Sequence, residues 1–134
     1  MQKTLIIIKP DGVMRGLIGE VIKRIERKDL KITEAKLIKP SEDLIREHYI
    51  EHKDKSFYNE LIKFFTSGKA MVLVVEGENA ISIMRLMVGE TDPLCASPGT
   101  IRGDFALSKT QNIVHASDSK ESATREIKLW FGEE

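Results

Sequence analysis

Cysteine is almost absent from this chain of 134 residues: Cys95 stands alone, so no disulfide can form within it, which fits a reducing cytosol. A surplus of charge is missing too. Lysine plus arginine number 21 and aspartate plus glutamate 21, so no global field recruits nucleic acid or a membrane surface. Any anionic ligand must be met by cations placed locally. Leu5-Ile6-Ile7-Ile8, the apolar run that opens the chain, is too short for a signal-peptide core or a membrane span. Internal repeats, linkers and low-complexity tracts are lacking as well. The expectation is one cytoplasmic domain, 1–134, burying about two thirds of its unfolded surface.

What is present alternates between strands and helices. Residues 4–8 form a continuous, β-branched apolar run that suits a central strand covered on both faces. Lys9-Pro10-Asp11-Gly12 has the composition of a turn. Leu17, Val21, Ile22 and Ile25 then recur at helical spacing as far as Lys28 and Asp29. Ile32, Ala35, Leu37 and Ile38 make a second strand, closed by Pro40. Ser41 caps a helix with Leu44, Ile45 and Tyr49 on one side, and Ser56 caps another with Phe57, Leu61, Phe64 and Phe65 inward. Residues 71–75 are a third strand, and a short helix over residues 80–88 stops at Gly89. Between residues 90 and 111 neither period is convincing, and so long a loop inside a compact domain is commonly functional.

Set aside the helical pair between the second and third strands, and the order is β-α-β-β-α-β. That is the split βαβ pattern of a ferredoxin-like fold: α+β, an antiparallel four-stranded sheet with an inserted helical pair and surrounding helices. Such a fold hosts many functions, so the site must decide.

The last strand and helix carry the chemistry. Asn112-Ile113-Val114-His115-Ala116-Ser117-Asp118-Ser119 reads as a short apolar strand delivering one histidine to its end, then a polar turn. Asp118 and Glu121 have capping-box spacing, which starts the helix at Asp118. Ala123, Ile127 and Trp130 form its buried stripe, and Glu126 projects about 60° from Ala123, bordering that stripe. His115 and Glu126 can therefore meet in one partly buried place with Ser117 between them, as a nucleophile or base held by an orienting acid. Singly, each residue has a plainer reading, a histidine at the core's edge or a solvated glutamate. The same holds for Lys9, Arg85 and Arg102.

Two other patterns need weighing. The stretch from Gly12 to Gly19 lacks the Gly-Lys-Ser/Thr ending of a phosphate loop, so any nucleotide is handled without one. His48-Tyr49-Ile50-Glu51-His52 matches the H-x-x-E-H string of inverted zinc peptidases and puts both histidines on one helical face. No second motif supplies a third ligand.

Taken together, the strings are specific. The segment 112–119 followed by Arg125-Glu126-Ile127, with Lys9-Pro10-Asp11-Gly12-Val13 and Pro98-Gly99-Thr100-Ile101-Arg102-Gly103-Asp104-Phe105, resembles the nucleoside diphosphate kinases in the family's order over residues 3–131. The resemblance implies ping-pong transfer of the γ-phosphoryl group from a nucleoside triphosphate such as ATP to a nucleoside diphosphate, through phosphohistidine at Nδ1 of His115. It implies that Glu126, supported by Ser117, orients the ring and that Lys9 and Tyr49 contact the transferring group. Arg85, Thr91 and Arg102 would hold the outer phosphates, and Asn112, with Lys9, the sugar hydroxyls. Phe57 is the implied stacking platform for the base, with Leu61 beside it. Mg²⁺ would bridge phosphate oxygens, with Asp118 reaching it through water.

The chemistry suits those roles. A neutral imidazole, unperturbed pKa about 6.5, is an available nucleophile at cellular pH. Arginine forks hold phosphate oxygens bidentately, and stacking holds a base without reading its identity.

Some positions depart from the family's pattern. Lys109-Thr110 stands where many members have Val-Gly, which leaves the second wall of the base site open, and Asp92, Ser56 and Ala116 replace a common Asn, Pro and Gly. The chain ends three residues after Phe131, without the extension of longer members. That tail and residues 93–99 contribute to subunit contacts in the family, so a homo-oligomer is expected, hexamer or tetramer. The competing readings are a non-catalytic nucleotide-binding module of this fold and the zinc peptidase using His48 and His52.

Overall fold

The apolar run near the start of the chain becomes β1 (Gln2–Ile8), in which Thr4, Leu5, Ile6, Ile7 and Ile8 have no exposed surface. The computed structural model describes residues 1–132, so the last two residues of the expected 1–134 domain lie outside the described residues. After β1 come α1 (Pro10–Met14), α2 (Ile18–Arg27), β2 (Lys31–Ile38), α3 (Glu42–His48), a single 3-10 turn (Ile50–His52) and α4 (Tyr58–Phe65). Then follow β3 (Ala70–Gly77), α5 (Ala80–Val88), α6 (Ile101–Phe105), β4 (Val114–Ala116) and α7 (Lys120–Phe131). The sheet runs β2-β3-β1-β4 with every pair antiparallel. This is the expected ferredoxin-like α+β arrangement, with α3 and α4 as the inserted pair.

Strand alternation divides β1 between two cores. Ile6 and Ile8 pack with Val21 and Ile25 of α2 and Met84 and Val88 of α5 on one face. Leu5 and Ile7 pack with Ile45, Phe65 and Trp130 on the other. Each fully buried aliphatic side chain stabilises the fold by about 1.5–3 kcal/mol, so the centre of the sheet is a rigid base for whatever its edge displays. At the end of α5, Gly89 takes φ +90°, and a side chain there would collide with Thr100.

Several local expectations shift. Lys9-Pro10-Asp11-Gly12 is the first turn of α1 rather than a bare turn, because Pro10 at the first helical position has the right φ and loses no hydrogen bond. Ser56 does not cap α4: Phe57 takes that place with 42% exposure, and the buried stripe is Tyr58, Ile62 and Phe65. Tyr58 and Ile62 thus stand where Phe57 and Leu61 were expected, one residue or about 100° around the helix, while Phe65 stays inward. Likewise Ser119, not Asp118, caps α7, its hydroxyl accepting from Ser122 N–H. The loop over residues 90–111 contains α6, capped by Thr100 and too short to show a period. A register shift between Ile32 and Glu34 turns β2 over, so Ile32 joins one core and Ile38 the other, leaving Leu37 half-exposed.

The core beneath β4 contains a polar pair. His48, at the end of α3, is buried, and the Trp130 indole N–H donates to its Nδ1 at 3.0 Å. Burial, then the neighbouring charge of His115, holds the pKa of His48 well below the ordinary imidazole value. Below about pH 6.5 the unfolded chain therefore binds a proton at this position that the folded chain refuses, and stability falls as pH drops. Urea denaturation of His48→Asn should show a flatter stability slope between about pH 6.5 and 5; an unchanged slope would assign the acid sensitivity to other groups.

Candidate active site

Beside β4 opens a cleft of about 500 Å³. β4 delivers His115 to it through pairing with β1, where His115 lies opposite Ile7. α7 delivers Glu126, which is 5% exposed and thus deeper than Ile127, its neighbour in the expected stripe. His115 Nε2 and Glu126 Oε1 are 2.8 Å apart. Ser117 donates to the same oxygen at 2.8 Å, while its own Oγ accepts from Leu5 N–H at 3.2 Å, tying the pair to the central strand. As a carboxylate, Glu126 only accepts, so Nε2 carries the ring hydrogen and Nδ1 keeps its lone pair.

Cations line the floor and one side. Lys9, buried just past β1, donates from Nζ to Asn112 Oδ1 at 2.8 Å. Burial, then the Arg102 charge, lowers its pKa to about 7, against an opposing pull from Asp11. Arg102 is buried as well, its guanidinium donating to the carbonyls of Gly89 (3.0 Å), Val114 (2.6 Å) and Asn112 (3.4 Å). Burial, then Arg85, lowers its pKa to about 10, so it stays charged at neutral pH. Arg85, on α5, donates to the Ala116 carbonyl at 3.1 Å. These contacts leave the positive charge of the cleft largely uncancelled, and a polyanion would relieve it.

The remaining expected residues gather here too. Tyr49, Phe57, Leu61, Thr91, Asn112 and Asp118 all line the cleft; Ser117 sits behind it, fully buried. Phe57 stands at the mouth, its ring 6.0 Å from that of His52. Burial, then the charge of Glu126, keeps the Tyr49 hydroxyl protonated. A hydrogen bond from Ser122 favours the ionised form of Asp118. Lys109 and Thr110 also border the cleft, and the Lys109 ammonium lies 3.9 Å from Asp92.

Two side chains do more here than their sequence pattern shows. Arg125 lines the cleft and donates to the carbonyls of Glu47 and His48, pinning the end of α3. Trp130 belongs to the expected stripe, but a buried indole also needs an acceptor, and that requirement points to a polar partner such as His48.

The zinc-peptidase pairing fails on the same bond. Because Trp130 donates to His48 Nδ1, the ring hydrogen of His48 sits on Nε2, and neither nitrogen offers a lone pair to an ion. Among the described residues, the metal-type side chains that do come together are His48, His115 and Glu126, without His52.

A split βαβ sheet that aims a carboxylate-held histidine into a cationic cleft defines a ferredoxin-like domain suited to a polyanionic ligand. A profile of the nucleoside diphosphate kinase family matches residues 2–134. The chain is 54% identical over 134 residues to the nucleoside diphosphate kinase of Macrococcus caseolyticus, covering 100% of this chain and 90% of that one. It is 56% identical over 133 residues to that of Methanocaldococcus jannaschii, covering 99% and 95%. The crystal structure of the Encephalitozoon cuniculi nucleoside diphosphate kinase aligns with a TM-score of 0.98 at 41% identity, covering 99% of this chain and 90% of that one. The chain belongs to the nucleoside diphosphate kinase family.

Lys9 makes the electrostatics testable. A buried polyphosphate stabilises the ammonium form, so an anion that binds at pH 8 should draw a proton onto Nζ. Calorimetric titration with inorganic pyrophosphate in buffers of different ionisation enthalpy should show uptake of up to about one proton per site at pH 8, vanishing near pH 6. Lys9→Met should abolish the uptake; uptake that persists would place the proton elsewhere.

Proposed function

We propose that this chain is a nucleoside diphosphate kinase that moves the γ-phosphoryl group through His115, with broad tolerance of base and sugar. The observation that carries the reading is the 2.8 Å contact between His115 Nε2 and Glu126, which leaves Nδ1 as the nitrogen able to attack. In the first half-reaction the Nδ1 lone pair bonds to the γ-phosphorus, the bond to the bridging oxygen breaks, and a nucleoside diphosphate departs with that oxygen. In the second, a terminal oxygen of another diphosphate attacks the phosphorus and the P–N bond breaks. One site serves donor and acceptor in turn.

Little covalent chemistry is asked of the other side chains; they position and stabilise charge. Lys9 and Tyr49 act at the transferring group, and Arg85, Thr91 and Arg102 at the outer phosphates. Asn112, together with Lys9, takes the sugar hydroxyls. Phe57 stacks on the base with Leu61 beside it.

We take the divalent metal of this kinase chemistry to be Mg²⁺. The carboxylates bordering the cleft are few, Glu51, Asp118 and Glu126, and Glu126 already engages His115 and Ser117. That donor set suits an ion carried by nucleotide phosphates, with Asp118 touching it through water, better than one in a protein cage. When bound, it neutralises charge on the phosphate oxygens.

Leu94 and Leu107 are each 93% exposed, apolar surface that assembly into a tetramer or hexamer would cover. Among the described residues no helix is long and apolar enough to cross a membrane. We take the chain as a single cytoplasmic domain.

Incubation with γ-labelled ATP should leave an acid-labile label on the protein, and His115→Ala should take none and transfer nothing. A non-catalytic nucleotide binder acquires no label, and near-normal turnover in His115→Ala would remove the nucleophile. Phe57→Ala should raise KM about tenfold for every base alike, since each offers a π-face; loss confined to one base would contradict stacking.

A further inference from the structure

Asn112 and His115 are three residues apart, so in an uninterrupted strand they would point to opposite faces of the sheet. Yet both line the cleft. Ile113 makes the difference. Val114 N–H bonds back to the Asn112 carbonyl at 2.8 Å, and Ile113 between them has φ +75°. That combination is a γ-turn of the rare, positive-φ kind. It breaks the alternation. Ile113 and Val114 both enter the core beneath α2 and α5, and Asn112 swings to the cleft, where its Oδ1 takes the Lys9 ammonium.

A β-branched residue resists this backbone conformation, so its surroundings must hold it there. Asp11 and Lys9 do so from one short segment. Asp11 Oδ2 accepts the Ile113 N–H at 3.1 Å, and Lys9 N–H donates to the Ile113 carbonyl at 2.8 Å. Gly12 leaves the room: a Cβ there would lie 2.9 Å from Ile8 Cγ2 and 3.1 Å from both Ile113 Cγ2 and the Ile113 carbonyl oxygen. Asp11 is buried, and its Oδ1 has no hydrogen-bond partner among the described residues. A buried carboxylate with an idle oxygen is a costly way to satisfy one N–H, which argues that this bond does more than fill a gap.

We infer that Asp11 is a positioning residue: by pinning the Ile113 N–H it maintains the γ-turn that sets Asn112, and with it Lys9, on the same side of the sheet as His115. The inference rests on His115 being the phosphoryl acceptor.

The test is single-turnover labelling of His115 with γ-labelled ATP at saturating nucleotide. Labelling of the wild type that His115→Asn abolishes establishes the acceptor independently of Asp11. Asp11→Ala should then slow labelling about a hundredfold, the scale of a small misplacement of reacting groups. Glycine adopts φ +75° without strain, so Asp11→Ala with Ile113→Gly should regain about tenfold over Asp11→Ala alone. A merely structural role predicts the reverse, because losing the buried Ile113 side chain destabilises the fold further. Wild-type rates in Asp11→Ala, or no rescue by glycine, would overturn the inference. Should Asp11→Ala not fold, Asp11→Asn carries the test. Keeping an acceptor of the same shape should keep the rate within about threefold, and a hundredfold loss in folded Asp11→Asn would show that charge, not the pin, matters.

Discussion

A single carboxylate oxygen, Glu126 Oε1, accepts hydrogen from both His115 and Ser117, and the orientation of the imidazole depends on it. The bond to His115 decides which ring nitrogen is protonated and where the other points. Ser117 in turn takes the Leu5 N–H, so the aim of the imidazole is referred to the middle strand of the sheet rather than to a loop. Sites supported by regular elements hold their geometry better than sites on loops. Here β1, β4 and α7 each contribute one end of the chain of contacts.

The cations obey a different logic. Lys9, Arg85 and Arg102 are held by neutral carbonyl and amide oxygens, which orient them without cancelling their charge. Carboxylates in those places would have made the free protein more comfortable and removed the cleft's attraction for an anion. The depressed pKa of Lys9 records that tension. Charge arranged before the ligand arrives needs no rearrangement when charge shifts during transfer.

Much of this was legible in the chain. The strand order, the two-sided burial of residues 4–8 and the meeting of His115 with Glu126 follow from periodicity and spacing. Helix phase was less so: Ser56 and Asp118 are sound capping residues, yet the helices begin one residue further on, a difference of one hydrogen bond that tertiary packing overrides. The γ-turn at Ile113 was invisible. Isoleucine argues for a strand, and what bends it is a carboxylate about a hundred residues earlier, at Asp11. Burial of Lys9 and Arg102 was hidden for a similar reason, since their oxygen partners, the Asn112 side chain for Lys9 and backbone carbonyls for Arg102, lie in other segments of the chain, which composition does not reveal.

Arg102 fastens the end of α5 to the segment entering β4 by its bonds to Gly89, Asn112 and Val114. A descendant that abandoned catalysis and kept its shape would still be obliged to retain this arginine. Its survival in some distant cousin would therefore say little about whether that protein still works. On the proposed function His115 is the better witness: among the described residues its side chain hydrogen-bonds only to Glu126, so drift would be free to erase it once phosphoryl transfer was no longer selected.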